Sequence, residues 1–170
     1  PDPTMRTLHL LALLALVYVT AGHGLEPALA RAGGDDWQRR VDLRGPWRFQ
    51  IGDDARWASP DWNDADWDEV FVPSPWEDEG FPGYDGYAWY RRHVRLEPGL
   101  KGEALYLRLG RIDDVDEVYV NGHLIGRTGS FPRQYKTAYQ HERVYRVPDH
   151  LLRYGRENVI AVRVFDEGLV

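Results

Sequence analysis

The sequence predicts an all-β sandwich from about residue 41 to residue 170. Apolar residues recur mostly with a period of two in short runs, which is typical of strands that bury one face. Glycine and proline turn signals separate these runs at short intervals, and no long helical periodicity alternates with them. Many short strands without intervening helices favour a sandwich or a barrel over a fold with parallel strands and crossover helices.

The individual strands follow from this alternation. Residues 47–51 and 105–109 place apolar side chains on one face and polar side chains on the other. Asn121-Gly122 readily takes positive φ at both central positions of a type I′ turn, so residues 118–125 are predicted to form a hairpin. Further strands are predicted over residues 143–147 and 158–165.

The first 40 residues are predicted to lie outside this domain. Residues 1–4 precede Met5 and resemble a cloning scar, and residues 5–32 have the basic start, apolar run and small residues of a helical signal peptide. The apolar run covers residues 10–19, about half of the roughly 20 residues that a membrane span needs. Residues 33–40 are predicted to be a linker, and the protein is expected to be secreted or periplasmic.

The composition excludes several classes of function. The chain has 27 acidic and 21 basic residues and a net charge of −6, which argues against binding to nucleic acid. It has no cysteine, which rules out disulfides, thiol catalysis and zinc–thiolate sites. Aromatic residues make up 13% of the chain, so ring stacking is available for packing and for binding.

Five sequence blocks in a fixed order carry a family resemblance. They are LRGPWRF at 43–49, VPSPWE at 72–77, GYAWYRR at 86–92, VYVNGHLIG at 118–126 and ENVIAVRV at 157–164. In these blocks the chain resembles the N-terminal sugar-binding domain of family 2 glycoside hydrolases, a galactose-binding-like jelly roll. It is also similar to domains of sialate O-acetylesterases and of bacterial extracytoplasmic sensors.

The resemblance implies a non-catalytic carbohydrate-binding module, with carbohydrate as its ligand. In the glycoside hydrolases catalysis belongs to a downstream (β/α)8 barrel, which by itself needs roughly 250 residues. Two alternatives remain open: an extracytoplasmic sensing domain of a membrane-bound signalling protein, and a structural or oligomerising sandwich without a sugar ligand. The expected partner domain, catalytic or transmembrane, lies outside this chain.

One candidate binding surface lies on a predicted strand face. If Tyr90, Val94 and Leu96 point inward, alternation sends Trp89 and Arg91 outward, together with His93 and Arg95. The equivalent outward positions on other strands are Tyr106, Arg108, Tyr119 and Arg163. Sugars present C–H faces that stack on aromatic rings and hydroxyl groups that pair with arginine, aspartate and asparagine. The alternative interpretation is that the arginines pair with the many carboxylates and that the aromatic rings contact a neighbouring domain.

Loops at the ends of a sandwich provide the other candidate surfaces, because they can vary without disturbing the core. Asp85 and Tyr87 are predicted to border a ligand cleft. The segment from Phe131 to His141 is the other candidate rim, with Arg133, Tyr135, Lys136 and Tyr139. A cover over one end of the sandwich is predicted for the tryptophans of the long connection after the first strand, Trp57, Trp62, Trp67 and Trp76.

Asp114 and Asp116 lie in an acidic segment that leads into a predicted strand. They are expected to accept hydrogen bonds from loop backbone or to pair with arginines, with direct contact to sugar hydroxyls as the next alternative. A calcium site is a further alternative, although the spacing matches no EF-hand loop. No other cofactor is expected. Catalysis within the chain is not expected either, because no serine lies in a Gly-x-Ser-x-Gly elbow and no histidines have metal-binding helical spacing.

Overall fold

The computed structural model describes residues 38–168, which form a jelly-roll β-sandwich of one six-stranded and one two-stranded antiparallel sheet. The predicted all-β fold is therefore confirmed. Its strands are β1 Gly45–Ile51, β2 Asp68–Val72, β3 Gly86–Arg95, β4 Leu105–Arg111, β5 Val115–Val120, β6 His123–Thr128, β7 Glu142–Val147 and β8 Glu157–Asp166. The predicted cloning scar, the predicted signal peptide and most of the predicted linker lie outside the described residues.

The strand order places β8 at the centre of the larger sheet. That sheet runs β2-β1-β3-β8-β5-β6, and the smaller sheet pairs β4 with β7. Short 3-10 turns account for the helical structure within residues 38–168, and none of it is long and apolar enough to cross a membrane. Strand β2, which the sequence does not single out, is an edge strand. Its side chains alternate between the two faces of the sheet, so Val70 and Val72 are buried while Phe71 is exposed.

The core lies between the two sheets. Trp47, Tyr90 and Val162 from the larger sheet pack towards Leu107 and Tyr145 from the smaller one, and each is at most 9% exposed. Burial of apolar surface of this extent is the main stabilising contribution to folding. We call the side of the larger sheet that faces away from this core its outer face.

The predicted Asn-Gly hairpin is confirmed and joins β5 to β6. Asn121 has φ of 49° and Gly122 has φ of 85°, the positive values that a type I′ turn requires. The Asn121 side chain also donates to Leu151 O and accepts from Val159 N, at 2.8 Å and 2.9 Å. The residue that makes the turn therefore also ties it to the neighbouring β8.

Residues 53–67, here called the cover segment, lie on the outer face of the larger sheet. Trp57, Trp62 and Trp67 surround Trp89 of β3, with the Trp57 ring 5.1 Å from that of Trp67 and 6.2 Å from that of Trp89. The prediction that the tryptophans cover one end of the sandwich is corrected by this arrangement. Three of them cover a sheet face, and Trp76 belongs to the main core.

Candidate functional site

Four half-buried aromatic rings meet where β3 begins and β8 ends. Tyr87 lies opposite Phe165 in the β3–β8 pairing, and their ring centroids are 4.7 Å apart. Phe131 lies parallel to Tyr87 within 5°, at 5.9 Å, and Tyr135 meets the edge of Phe165 at 5.8 Å. We call this cluster of Tyr87, Phe131, Tyr135 and Phe165 the aromatic platform.

Arg163 holds the aromatic platform from the side of the sheet. Its guanidinium lies 4.3 Å from the Phe131 centroid and 4.9 Å from the Tyr87 centroid, distances typical of cation–π contacts. Nε and Nη2 donate to Asp53 at 2.7 Å and 2.5 Å, and Nη1 donates to Glu117 at 3.0 Å. Burial alone would raise the pKa of Glu117, but the hydrogen bond from Arg163 holds it below its ordinary value. Arg163 is thus committed to positioning the rings.

The loop that carries Phe131 and Tyr135 is closed by backbone hydrogen bonds. Ser130 N donates to Lys136 O at 3.0 Å, and Lys136 N donates to Ser130 O at 2.9 Å. This reciprocal pair closes the backbone of the five residues between them, from which the Phe131 and Tyr135 rings extend. We call residues 129–141 the tip loop.

Arg143 of β7 anchors the tip loop from inside the sandwich. Its side chain is fully buried, and Nε donates to Asp116 at 2.6 Å. Nη1 donates to Ala138 O at 2.7 Å, and Nη2 donates to Asp114 O at 3.1 Å. Burial raises the pKa of Asp116, although Arg143 and Tyr145 both favour its charged form.

The expectation that Asp116 pairs with an arginine is therefore confirmed. The structure corrects the alternative that Asp116 touches a sugar, because its side chain is 0% exposed between the two sheets. Asp114, in contrast, lies at the border of the aromatic platform. Its carboxylate accepts hydrogen bonds from Thr137 Oγ1 at 2.5 Å and from Glu167 N at 2.8 Å.

Three carboxylates gather where β8 ends beside the aromatic platform. Asp166 accepts from Gly168 N at 2.7 Å, and a Cβ atom built on Gly168 would lie only 2.4–2.6 Å from the Asp85 carboxylate. Burial, followed by the charges of Asp114, Asp85 and Glu77, raises the pKa of Asp166 above its ordinary value. Asp85 is exposed, and no described residue forms a hydrogen bond with its carboxylate.

Trp89 and Arg91 do not form the exposed binding face that alternation predicts. Both point away from the core as expected, but the cover segment lies over them and each is 0% exposed. Arg91 Nε donates to Asp64 at 2.7 Å, and its Nη1 donates to the carbonyl oxygens of Trp57 and Ser59. The structure corrects the assignment of both residues to a ligand site, since neither is accessible.

Asp64 of the cover segment has a second partner at the surface. His93 Nε2 lies 2.9 Å from Asp64, and His93 Nδ1 lies 3.1 Å from Glu157. Burial opposes the charged forms, yet the hydrogen bonds from Arg91 and His93 lower the pKa of Asp64 below its ordinary value. The two carboxylates likewise outweigh burial and raise the pKa of His93.

The structure thus divides the predicted site residues into three groups. Asp85, Tyr87, Asp114 and Tyr135 come together at one end of the larger sheet, whereas Trp89, Arg91 and Asp116 are interior. Arg133 and Tyr139 are exposed on the tip loop, without a ring contact to the aromatic platform. Phe131 lies in the predicted rim segment and Arg163 is among the predicted outward residues, whereas Phe165 lies outside the predicted set.

A sequence signal existed for Phe165, which the prediction did not include. Alternation along residues 158–165 puts Ile160, Val162 and Val164 in the core and therefore puts Arg163 and Phe165 on the outer face. Within residues 38–168, no group of three or more histidines and carboxylates is arranged to hold a metal ion. Calcium binding stays a prediction.

The fold and this loop-end site define a galactose-binding-like jelly-roll domain. The family described as the second all-β domain of β-galactosidase matches residues 52–169, well over half of the chain. The chain belongs to this family.

Two curated relatives support the assignment. A β-glucuronidase of Formosa agariphila is 26% identical over 133 residues, covering 69% of this chain and 12% of that protein. A β-galactosidase of Bacteroides ovatus is 27% identical over 103 residues, covering 52% of this chain and 12% of that protein. The chain therefore spans only 12% of the length of each of these relatives.

Solved structures give the same fold. A glycosyl hydrolase family 2 member from Bacteroides cellulosilyticus superposes with a TM-score of 0.61 at 24% identity, covering 75% of this chain and 18% of that one. A family 2 β-glucuronidase gives a TM-score of 0.62 at 22% identity, and the match covers 72% of this chain and 13% of that one. The predicted resemblance to the N-terminal domain of family 2 glycoside hydrolases is confirmed, while the likeness to sialate esterases and sensors stays a prediction.

Proposed function

We propose that this domain is a non-catalytic carbohydrate-binding module of an exported family 2 glycoside hydrolase, and that sugar binds on the aromatic platform. The observation that carries the proposal is the cluster of four half-buried rings beside Asp85, Asp114 and Asp166. Export rests on the predicted leader, and the activity of the whole enzyme is proposed from the names of its relatives, β-galactosidases and β-glucuronidases.

The platform has the chemistry that sugar recognition needs. Rings supply apolar faces for the C–H groups of a pyranose, and a few placed polar groups fix its orientation. Ionised carboxylates only accept hydrogen bonds, so Asp85 suits a hydroxyl donor of the ligand. Because the reciprocal Ser130–Lys136 bonds and the contacts of Arg163 already hold the rings, binding orders few side chains.

The proposal assigns glycoside hydrolysis to another part of the enzyme. That reaction uses two carboxylates that flank the scissile bond, with their separation set by the stereochemical outcome. Here Asp114 is held by Thr137 and Glu167, and Asp166 is held by Gly168, so each of these carboxylates already has a structural role. The module would hold the sugar chain while a separate barrel performs the chemistry.

Calorimetric titration of the full chain with a panel of neutral sugars, uronic acids and sialic acid tests the proposal. Phe131→Ala and Tyr87→Ala are each expected to weaken binding by about 1 kcal/mol, roughly fivefold, because each removes a stacking surface. Phe71→Ala is the matched control, since Phe71 is 56% exposed on the edge strand β2, away from the aromatic platform.

The outcomes separate the alternatives. Millimolar or tighter binding that falls in both platform variants and not in Phe71→Ala supports the site. Binding that neither platform variant changes would show that the sugar binds elsewhere. Absence of binding across the panel would contradict the carbohydrate-binding hypothesis. It would favour a structural sandwich or a sensing domain instead. Thermal unfolding of each variant checks that loss of binding is not loss of fold.

A further inference from the structure

The border of the aromatic platform is strongly acidic, and its carboxylates come from three separate chain segments. Asp85 precedes β3, Asp114 lies in the turn between β4 and β5, Asp166 ends β8 and Glu167 follows it. The end of β8 brings them together, because Glu167 N contacts Asp114 and Gly168 lies against Asp85. Burial is the main reason that the pKa of Asp166 is raised, and the neighbouring charges of Asp114 and Asp85 raise it further.

The cation nearest the rings does not offset this charge. Arg163 forms a two-point ion pair with Asp53 and a further hydrogen bond with Glu117, which uses three of its guanidinium donors. Asp53 and Glu117 therefore already neutralise the charge of Arg163, and a ligand carboxylate placed there would also face these two anions. The tip loop carries two further cations, Arg133 and Lys136, and the exposed position of both leaves them hydrated and screened by salt.

We infer that the aromatic platform selects neutral sugars and rejects uronic and sialic acids, an inference that rests on the proposed carbohydrate-binding role. A neutral pyranose directs hydroxyl donors at Asp85 while its C–H face covers the rings. A uronic acid adds one more anion beside Asp85, Asp114 and Asp166, and like charges placed side by side oppose binding. Membership of the family leaves this choice open, since the relatives include both β-galactosidases and β-glucuronidases.

Matched sugar pairs that differ only at carbon 6 test the inference. The full chain is titrated with methyl β-galactoside and methyl β-galacturonide, and with methyl β-glucoside and methyl β-glucuronide, in low salt. The neutral member that binds is expected to bind at least about tenfold more tightly than its acidic partner. The difference in affinity between the two sugars should decrease at high salt, because screening weakens repulsion between exposed charges.

Asp85→Asn sharpens the test, because it removes one exposed charge and keeps a polar group of the same size. The variant should reduce the ratio between the affinities for the neutral and the acidic sugar of a pair severalfold. Asp66→Asn is the control, since Asp66 is exposed in the turn before β2 and should leave the ratio unchanged. Circular dichroism confirms folding of both variants, and the wild-type pairs decide the question even if Asp85→Asn fails to fold.

The failures are distinguishable. If no member of either pair binds and the wider panel also fails, the carbohydrate-binding role itself is wrong and the inference falls with it. If sugars bind but the acidic member equals or exceeds the neutral one, the role stands and the selectivity is wrong. Loss of that acidic-sugar binding in Arg133→Gln would then identify Arg133 as the cation that overturns the inference.

Discussion

Two fully buried arginines hold two loops to this sandwich, and they do so in different ways. Arg91 binds backbone carbonyls of the cover segment and pairs with Asp64, which belongs to the same segment. Arg143 binds carbonyls at the end of the tip loop and pairs with Asp116, which belongs to β5 in the sandwich interior. The first pair can separate when the segment lifts, whereas the second has both members on the packed sheets.

The difference predicts how each loop fails. Segments with few core contacts open locally at a free energy below that of global unfolding. Loss of Arg91 lets the cover segment carry Asp64 into water, so the penalty is limited to local opening. Loss of Arg143 leaves Asp116 buried without its partner, because β5 cannot leave the sheet without global unfolding.

Arg143→Met should cause the largest loss of stability. Removing one member of a buried ion pair typically costs about 3–5 kcal/mol, since the other charge stays uncompensated. Urea unfolding at neutral pH measures the loss. Adding Asp116→Leu should recover part of it, and a single-variant loss below about 1 kcal/mol would contradict the assigned role of Asp116.

Gly126→Ala should cause the second largest loss of stability, because it disturbs the packing of Tyr145 beside the Arg143–Asp116 pair. A Cβ atom on Gly126 would lie 2.0 Å from Cδ1 of Tyr145, whose hydroxyl donates to Asp116 at 2.6 Å. Overpacking of this kind costs about 1–3 kcal/mol. Gly99→Ala is the control, since a Cβ atom there meets nothing within 4 Å. Equal denaturation midpoints for the two variants would refute the packing argument.

Arg91→Met should have a smaller effect on global stability, about 1–2 kcal/mol, because the freed carbonyls and Asp64 can be hydrated. Its local effect should be larger. Hydrogen exchange is expected to accelerate across residues 53–67 while exchange of β8 stays slow. If Arg91→Met lowered the free energy of global unfolding as much as Arg143→Met, the proposed difference between the two arginines would be wrong.

His93→Gln should have the smallest effect, visible as a change in pH dependence. The pKa of His93 is raised above 6.5, so its contribution is complete below that pH and is lost as pH rises through the folded-state pKa. The pKa of Asp64 is lowered below 3.8, so its contribution is lost only in stronger acid. Exchange of the cover segment, corrected for its intrinsic rate, should be faster at alkaline than at mildly acidic pH. His93→Gln should remove that difference, and an unchanged profile would contradict the role of His93.

The strands could be predicted from the sequence because the pattern that marks them is local. Alternation and the Asn121-Gly122 turn are properties of neighbouring residues, and they predict which side of β3 Trp89 and Arg91 occupy. They do not predict what lies over that side, which depends on where a 15-residue connection folds back. The three tryptophans of that connection were the available signal, because a purely solvated loop rarely carries so many large apolar rings.

The candidate site could be predicted only in part for a related reason. Tyr87 and Tyr135 were accessible to sequence reasoning as loop-end aromatics, but their ring neighbours come from the register of β3 against β8. Phe165 joins the aromatic platform only because β8 is the central strand between β3 and β5. That order is a property of the topology and is not encoded in any short segment.

Asp53 gives the molecule an optical property. Its Oδ1 atom accepts hydrogen bonds from both the Trp89 indole, at 3.2 Å, and Arg163, at 2.7 Å. The Trp89 indole and Arg163 thus share one carboxylate oxygen, so a displacement of Arg163 at the rings is expected to change the surroundings of Trp89, which its intrinsic fluorescence would report.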